Sequence, residues 1–191
     1  MRPALRRVAQ FFRAMAARVG ADEYAMIEER LPPAQVALYH RMARSDQRHC
    51  LDVYTTLIRA GYRDEDLLRA ALLHDVGKTA GGRSGGMPMT VLHRVAIVLL
   101  QAYGTRASGT QGIGPRWLAR LAADGRGWKA PFAVHARHAQ AGAEWAAEAG
   151  CAPAVVALIR AHHGDPGGGD LPGLDPNDER LAALVWADEC N

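Results

Sequence analysis

The chain has 191 residues and a formal net charge of +3, with 49% hydrophobic but only 6% aromatic residues. This length suits one domain with a full core of its own. The small positive excess comes from arginine, since lysine occurs only at Lys78 and Lys129. An excess of this size suits phosphate-bearing ligands, but it does not by itself predict binding to nucleic acid.

The cysteine pattern and the lengths of the apolar runs predict where in the cell the chain is located. Cys50, Cys151 and Cys190 are odd in number and widely spaced, and no Cys-x-x-Cys pair occurs. This pattern is typical of a reduced, cytoplasmic protein without a disulfide framework. Arginines interrupt the apolar residues near the N-terminus, which argues against a signal peptide, and the apolar run 95–100 is too short to cross a bilayer. We therefore expect no membrane span.

Helical periodicity dominates the chain and no strand pattern is convincing, so the sequence predicts an all-α fold. In the first half, helices are predicted over 3–19, over 22–30, from Pro33 to about Arg44, over 46–60, and from Asp64 into His74. The predicted N-caps are Asp22, either Ser45 or Asp46, and Asp64, and the predicted helix ends are Gly20, Gly61 and Gly77. The first helix is interpreted as packing on the core. The alternative is that its basic face lies on a membrane surface.

The second half continues this pattern between glycine-rich loops. Helices are predicted over 90–103, after Pro115, over 131–149 up to Gly150, from Pro153 to His163, and over 178–190. The predicted loops cover 78–88, 104–114 and 164–177. The segment from Gly81 to Gly86 is interpreted as either a lid or a solvated connector. The predicted architecture is a helical bundle in which N-terminal helices of 1–44 pack on a domain spanning 45–191.

Histidine and aspartate side chains recur at helix ends and on inward-facing helix positions. They are His49, His74, Asp75, His138, His162, His163 and Asp188. Neutral imidazole and carboxylate are ligands that suit Fe, Mn, Zn or Co. His135 shares a helix face with His138 and competes for the same position, and one of the paired histidines could bind phosphate instead of metal. His40 and His93 fit no position and are interpreted as bystanders.

The order of these residues resembles the HD-domain metal-dependent phosphohydrolases. More narrowly, it resembles their binuclear pattern H…HD…H…HH…D without the Gly-Tyr-Pro signature, over residues 46–190. The resemblance extends to Lys78 just after the His-Asp pair and to Gly142 four residues after His138, which is why His138 is preferred to His135. It implies an HD-domain helical bundle. It also implies a first metal held by His49, His74, Asp75 and Asp188, and a second held by Asp75, His138, His162 and His163.

The resemblance further implies an activity. A metal-activated water would hydrolyse a phosphomonoester or phosphodiester bond of a nucleotide-like substrate, with Asp75 and Lys78 as the catalytic residues and Lys78 on a phosphate oxygen. Two divalent ions are expected, with Fe or Mn favoured over Mg, Co, Ni or Zn. The expected partner is a phosphorylated small molecule rather than nucleic acid. The sequence leaves open whether the chain forms a homodimer. The alternative function is a catalytically silent HD module that senses a nucleotide by metal-dependent binding.

Overall fold

The structure is a computed structural model that describes residues 18–82, 130–163 and 178–191, with side chains for 18–79, 138–163 and 178–191. Regular structure in these ranges is helical throughout, which confirms the all-α prediction. The helices are α1 Ala21–Arg30, α2 Pro33–Arg41, α3 Arg44–Arg59, α4 Glu65–Leu73, the 3₁₀ helix Val76–Gly82, α5 Ala130–Glu148, α6 Pro153–Ala161 and α7 Glu179–Cys190. The predicted helices over 90–103 and after Pro115, and nearly all of 3–19, lie outside the described residues.

Several predicted helix boundaries are confirmed. Asp64 caps α4, because its Oδ1 accepts a hydrogen bond of 2.8 Å from the Leu67 backbone N–H. Pro33 opens α2 and Pro153 opens α6, as expected for a residue without an N–H to satisfy. Gly61 and Gly150 follow α3 and α5 with φ of 94° and 74°, a backbone conformation that glycine adopts without steric cost. Sequence-local signals therefore set these boundaries.

Two predicted N-caps are wrong. Gly20 caps α1 instead of Asp22, and its N–H donates to Glu23 Oε2 at 2.8 Å. Neither Ser45 nor Asp46 caps α3, which begins at Arg44 after Ala43. Asp46 is instead buried, with 4% of its surface exposed. Packing of α3 on the core directs this carboxylate inward, where it cannot serve as a cap.

The predicted loop after Gly77 is also wrong as far as the structure describes it. Lys78 and the residues up to Gly82 continue the chain as a 3₁₀ helix rather than as a loop. The Lys78 backbone N–H donates to the Asp75 carbonyl oxygen at 3.0 Å, and the Thr79 hydroxyl donates to the Val76 carbonyl oxygen at 2.9 Å. This tight turn keeps Lys78 next to Asp75.

A single apolar core joins the described helices. It includes Ile27 of α1, Leu38 of α2, Leu57 of α3, Leu72 of α4, Val76 of the 3₁₀ helix, Leu158 of α6 and Leu184 of α7. α1 and α2 thus share the core of the later helices, while the division into 1–44 and 45–191 stays a prediction. No helix within the described ranges is long and apolar enough to cross a bilayer.

Two glycines let the 3₁₀ helix and α5 touch through their backbones. A Cβ atom on Gly77 would overlap the His138 carbonyl oxygen and lie 2.7 Å from the Gly142 nitrogen. A Cβ atom on Gly142 would lie 3.2 Å from the Gly77 nitrogen. The lack of a side chain at Gly142 thus permits a close approach between α5 and the 3₁₀ helix. It places His138 beside the turn that carries Asp75 and Lys78.

Candidate metal centre

The ends of α4 and α6 each present a buried histidine in the same way. His74 Nδ1 lies 2.9 Å from the Ala71 carbonyl oxygen, and His162 Nδ1 lies 2.6 Å from the Ile159 carbonyl oxygen. A carbonyl oxygen can only accept, so Nδ1 carries the proton in both rings. Each bond also satisfies a carbonyl left over at a helix end. The Nε2 atoms are therefore turned toward the interior of the site as potential ligands.

A first cluster consists of His49 on α3, His74 after α4 and Asp188 on α7. His49 Nε2 lies 2.8 Å from Asp188 Oδ1, and His74 Nε2 lies 3.6 Å from the same oxygen. One ligand atom from each residue falls within 4.8 Å of the others. His49 and Asp188 are partly exposed whereas His74 is buried, so this cluster reaches the surface on one side.

A second cluster consists of Asp75, His138 on α5, and His162 and His163 after α6. Their ligand atoms also lie within 4.8 Å of one another. The His138 ring centroid is 5.3 Å from that of His162 and 4.8 Å from that of His163. Asp75, His138 and His162 are buried, and His163 is the exposed member. Three imidazoles and one carboxylate are thus gathered from three separate parts of the chain.

Asp75 lies between the two clusters, with one carboxylate oxygen toward each. Its Oδ2 is 3.8 Å from His49 Nε2 and 3.7 Å from His74 Nε2. Its Oδ1 is 3.6 Å from His138 Nε2. A carboxylate in this position could bridge two cations, one bound on each side. Lys78 Nζ donates to Oδ2 at 2.5 Å, so the ammonium lies on the first-cluster side.

The charges of the site favour anionic carboxylates. Burial works against the charged form of Asp75, but the charges of Lys78, His74, His49 and His138 outweigh it and hold its pKa well below the ordinary value. Burial also opposes the charge on Asp188, yet the hydrogen bond with His49 and the nearby imidazole of His74 lower the pKa of Asp188. Both side chains are therefore ready to bind a cation without first losing a proton.

The histidines differ from one another in charge. Burial lowers the pKa of His162, and the neighbouring imidazoles of His163, His74 and His138 lower it further, so this ring is neutral. Burial also opposes a charge on His74, but Cys50, Asp75 and Asp188 outweigh burial and raise its pKa. A neutral imidazole is the ligand form, so a cation bound at His74 Nε2 would release a proton.

The buried polar atoms of the site indicate that it fits divalent cations. His74 Nε2, Asp75 Oδ1 and His162 Nε2 are buried, and none has a hydrogen-bond partner among the described residues. Buried polar atoms in proteins are nearly always paired, and atoms that are not paired point to an ion or ligand. All three are lone-pair donors suited to Fe, Mn, Co or Zn.

The structure brings the seven predicted ligand residues together at one place in the bundle. His40 lies at the surface, where its Nε2 is 3.7 Å from Glu28 Oε1, so it is not part of either cluster. The side chain of His135 and the whole of His93 lie outside what the structure describes. His138 is preferred to His135 because His138 lies in the second cluster. The role of Lys78 as a phosphate contact stays a prediction.

Sequence analysis missed the role of two neighbours of His49. Cys50 is buried with its Sγ 3.7 Å from His74 Nδ1, so it packs behind the ring of that residue. Arg48 donates to Glu23 Oε1 at 2.7 Å and to Asp52 Oδ1 at 2.6 Å, which ties α1 to α3 next to His49. The signal in the sequence for both residues is their position next to the candidate ligand His49.

Comparisons with protein families, with curated proteins and with solved structures found no match for this chain.

Proposed function

We propose that the chain is a metal-dependent phosphohydrolase of the HD type that hydrolyses a phosphomonoester or phosphodiester bond of a nucleotide-like substrate. The observation that supports this most is Asp75, whose two oxygens face two separate groups of imidazole and carboxylate ligands. Paired cation sites that share a carboxylate are typical of enzymes that displace an oxygen at phosphorus. The order of the ligands along the chain adds the resemblance to HD phosphohydrolases.

In this proposal His49, His74, Asp75 and Asp188 hold one cation, and Asp75, His138, His162 and His163 hold the other. When bound, such cations supply Lewis acidity toward a phosphoryl oxygen and lower the pKa of water. Imidazole makes up half of the first ligand set and three of the four ligands of the second, which favours Fe or Mn over Mg, an ion that prefers oxygen ligands. Co, Ni and Zn are compatible with the same donors.

The chain's own residues supply orientation and charge. The Ala71 and Ile159 carbonyls fix the rings of His74 and His162, so that the ligand nitrogens need no reorganisation. The ammonium of Lys78, once turned from Asp75 toward substrate, would contact a phosphate oxygen and stabilise the negative charge that develops on it. The partly exposed side formed by His49, Asp188 and His163 is where substrate would enter. The three cysteines are unpaired, which fits the cytoplasmic location we propose.

The experiment is a phosphate-release assay on the full chain with Mn²⁺ or Fe²⁺ and a panel of nucleotides, cyclic dinucleotides and dinucleoside polyphosphates. We expect turnover of at least one member, with loss of activity to background in Asp75→Asn and in the presence of a chelator. His40→Ala, a surface histidine outside the site, is the matched control and keeps activity. Metal-dependent nucleotide binding without turnover of any member would contradict the proposal and favour the silent sensor.

A further inference from the structure

Asp75 Oδ2 is surrounded by three basic groups. Lys78 Nζ donates to it at 2.5 Å, while His74 Nε2 and His49 Nε2 lie at 3.7 Å and 3.8 Å. The two imidazoles belong to the first cluster, so a cation held by them would lie beside the carboxylate oxygen that binds the ammonium. One oxygen in a buried position cannot fully balance two cations at once.

The backbone keeps Lys78 close to Asp75, but its side chain is long enough to turn away. The 3₁₀ turn returns the Lys78 N–H to the Asp75 carbonyl, and the contact of Gly77 with α5 fixes that turn. Lys78 Nζ reaches Asp75 Oδ2 from a side chain that is still partly exposed, so the ammonium pairs with this oxygen without being enclosed by it.

The other oxygen of Asp75 has different surroundings. Oδ1 faces His138 Nε2 at 3.6 Å and has no hydrogen-bond partner within the described ranges. A cation in the second cluster could therefore bind Oδ1 without displacing the Lys78 ammonium. The two clusters differ in this respect although they draw on similar ligands.

We propose that Lys78 is an internal counter-ion that competes with the first-cluster cation for Asp75 Oδ2, so that the second cluster binds metal first and more tightly. The first cluster is filled only when Lys78 leaves that oxygen, which also releases the ammonium toward substrate. The position of the Lys78 ammonium, on Asp75 or toward substrate, thus depends on whether the first cluster holds a cation. The inference rests on the proposed function only in that both clusters bind divalent cations, and it holds whether or not turnover follows.

The test is Mn²⁺ titration of the full chain without substrate, by calorimetry and by electron paramagnetic resonance. We expect a tight and a weak class of site in the unchanged chain. In Lys78→Met, which keeps the stem and removes the charge, the weak class should become about tenfold tighter or more while the tight class stays unchanged. Lys78→Arg is the matched control and keeps two unequal classes, because the guanidinium also neutralises Oδ2. A weak class that is unchanged or weaker in Lys78→Met overturns the proposal.

His138→Ala identifies the classes, because it should remove the tight one and leave the weak one. Loss of the weak class in His138→Ala would reverse the order of filling and overturn the inference. If Lys78→Met does not fold without metal, Lys78→Gln serves in its place, since its amide can still donate to Asp75. Unequal binding with the expected Lys78 effect but no hydrolysis would overturn the proposed function alone. Hydrolysis with no Lys78 effect on Mn²⁺ affinity would overturn this inference alone.

Discussion

Single backbone carbonyls orient the candidate ligand histidines that follow α4 and α6. His74 and His162 each lie just past a helix end, and each binds the carbonyl oxygen three residues earlier. The helix itself thereby determines that Nδ1 carries the proton and that Nε2 is the candidate ligand atom. The same local geometry at two helix ends explains how paired imidazoles can be buried without disordered rings.

Replacement of single ligands should separate the two clusters. Asp75→Ala should lose metal from both clusters, because it removes the one side chain that faces each of them. His138→Ala should lose one equivalent of metal and keep the other. Metal content by mass spectrometry of the purified chain, equilibrated with Mn²⁺, checks both. His40→Ala is the control with unchanged content, and two equivalents retained in Asp75→Ala would contradict the bridging position.

Among the elements, the contact between the 3₁₀ helix and α5 depends on the absence of two side chains. Gly77 faces the His138 carbonyl and Gly142 faces the Gly77 nitrogen, so backbone lies directly against backbone. Neither glycine is needed for a positive φ, because the positive-φ glycines among the described residues are Gly61 and Gly150. Space, rather than backbone freedom, fixes the residue type at both positions.

Gly77→Ala should therefore be one of the most damaging small substitutions in the chain. Its methyl group would overlap backbone atoms that cannot rotate aside, and we expect a loss of about 3 kcal/mol or more in the free energy of unfolding. Gly142→Ala should cost less, because its nearest contacts are 3.2–3.4 Å away. Urea unfolding measures both.

Gly61→Ala is the control for this pair of glycines. Its Cβ meets nothing within 4 Å, and only its φ of 94° opposes a side chain. The cost should be about 1–2 kcal/mol. Equal losses at Gly61 and Gly77 would show that steric overlap at the 3₁₀ helix is not the cause.

Sequence reasoning predicted the elements that are set by local signals and failed where distant residues decide. Asp64, Pro33 and Pro153 mark helix starts by their own chemistry, and they were predicted. The burial of Asp46 and the 3₁₀ helix Val76–Gly82, which packs against the distant α5, were not predicted. The candidate ligands could be chosen because they follow one another in a recognisable order. The contact of Lys78 with Asp75 Oδ2 could not, since spacing does not say which oxygen a lysine binds.

At the scale of the whole molecule, the two clusters join helices that are otherwise held by apolar packing. The first cluster links α3, α4 and α7, and the second links the turn after α4 with α5 and α6. A cation bound only by the folded chain must stabilise it, since the unfolded chain cannot gather these ligands. Cation binding at these clusters would therefore be coupled to global stability.

Mn²⁺ should raise the melting temperature of the chain. One site at a hundredfold excess of metal over its Kd adds about 2.7 kcal/mol, which is roughly 5–10 °C for a chain of this size. Differential scanning calorimetry with Mn²⁺ and with a chelator measures the shift. The shift should be smaller in His138→Ala and unchanged in His40→Ala. Bound Mn²⁺ without any rise in Tm would contradict ligation from several helices.

The pairing of His49 with Asp188 also sets an order in time during synthesis. The two residues are 139 positions apart, a distance that a ribosome covers in roughly 7–30 s. During that interval the nascent chain already carries His49, His74 and, later, every member of the second cluster. Asp188 follows all of them, so a chain released before α7 is made lacks the carboxylate that His49 binds. The first cluster can thus be completed only after α7 has been synthesised.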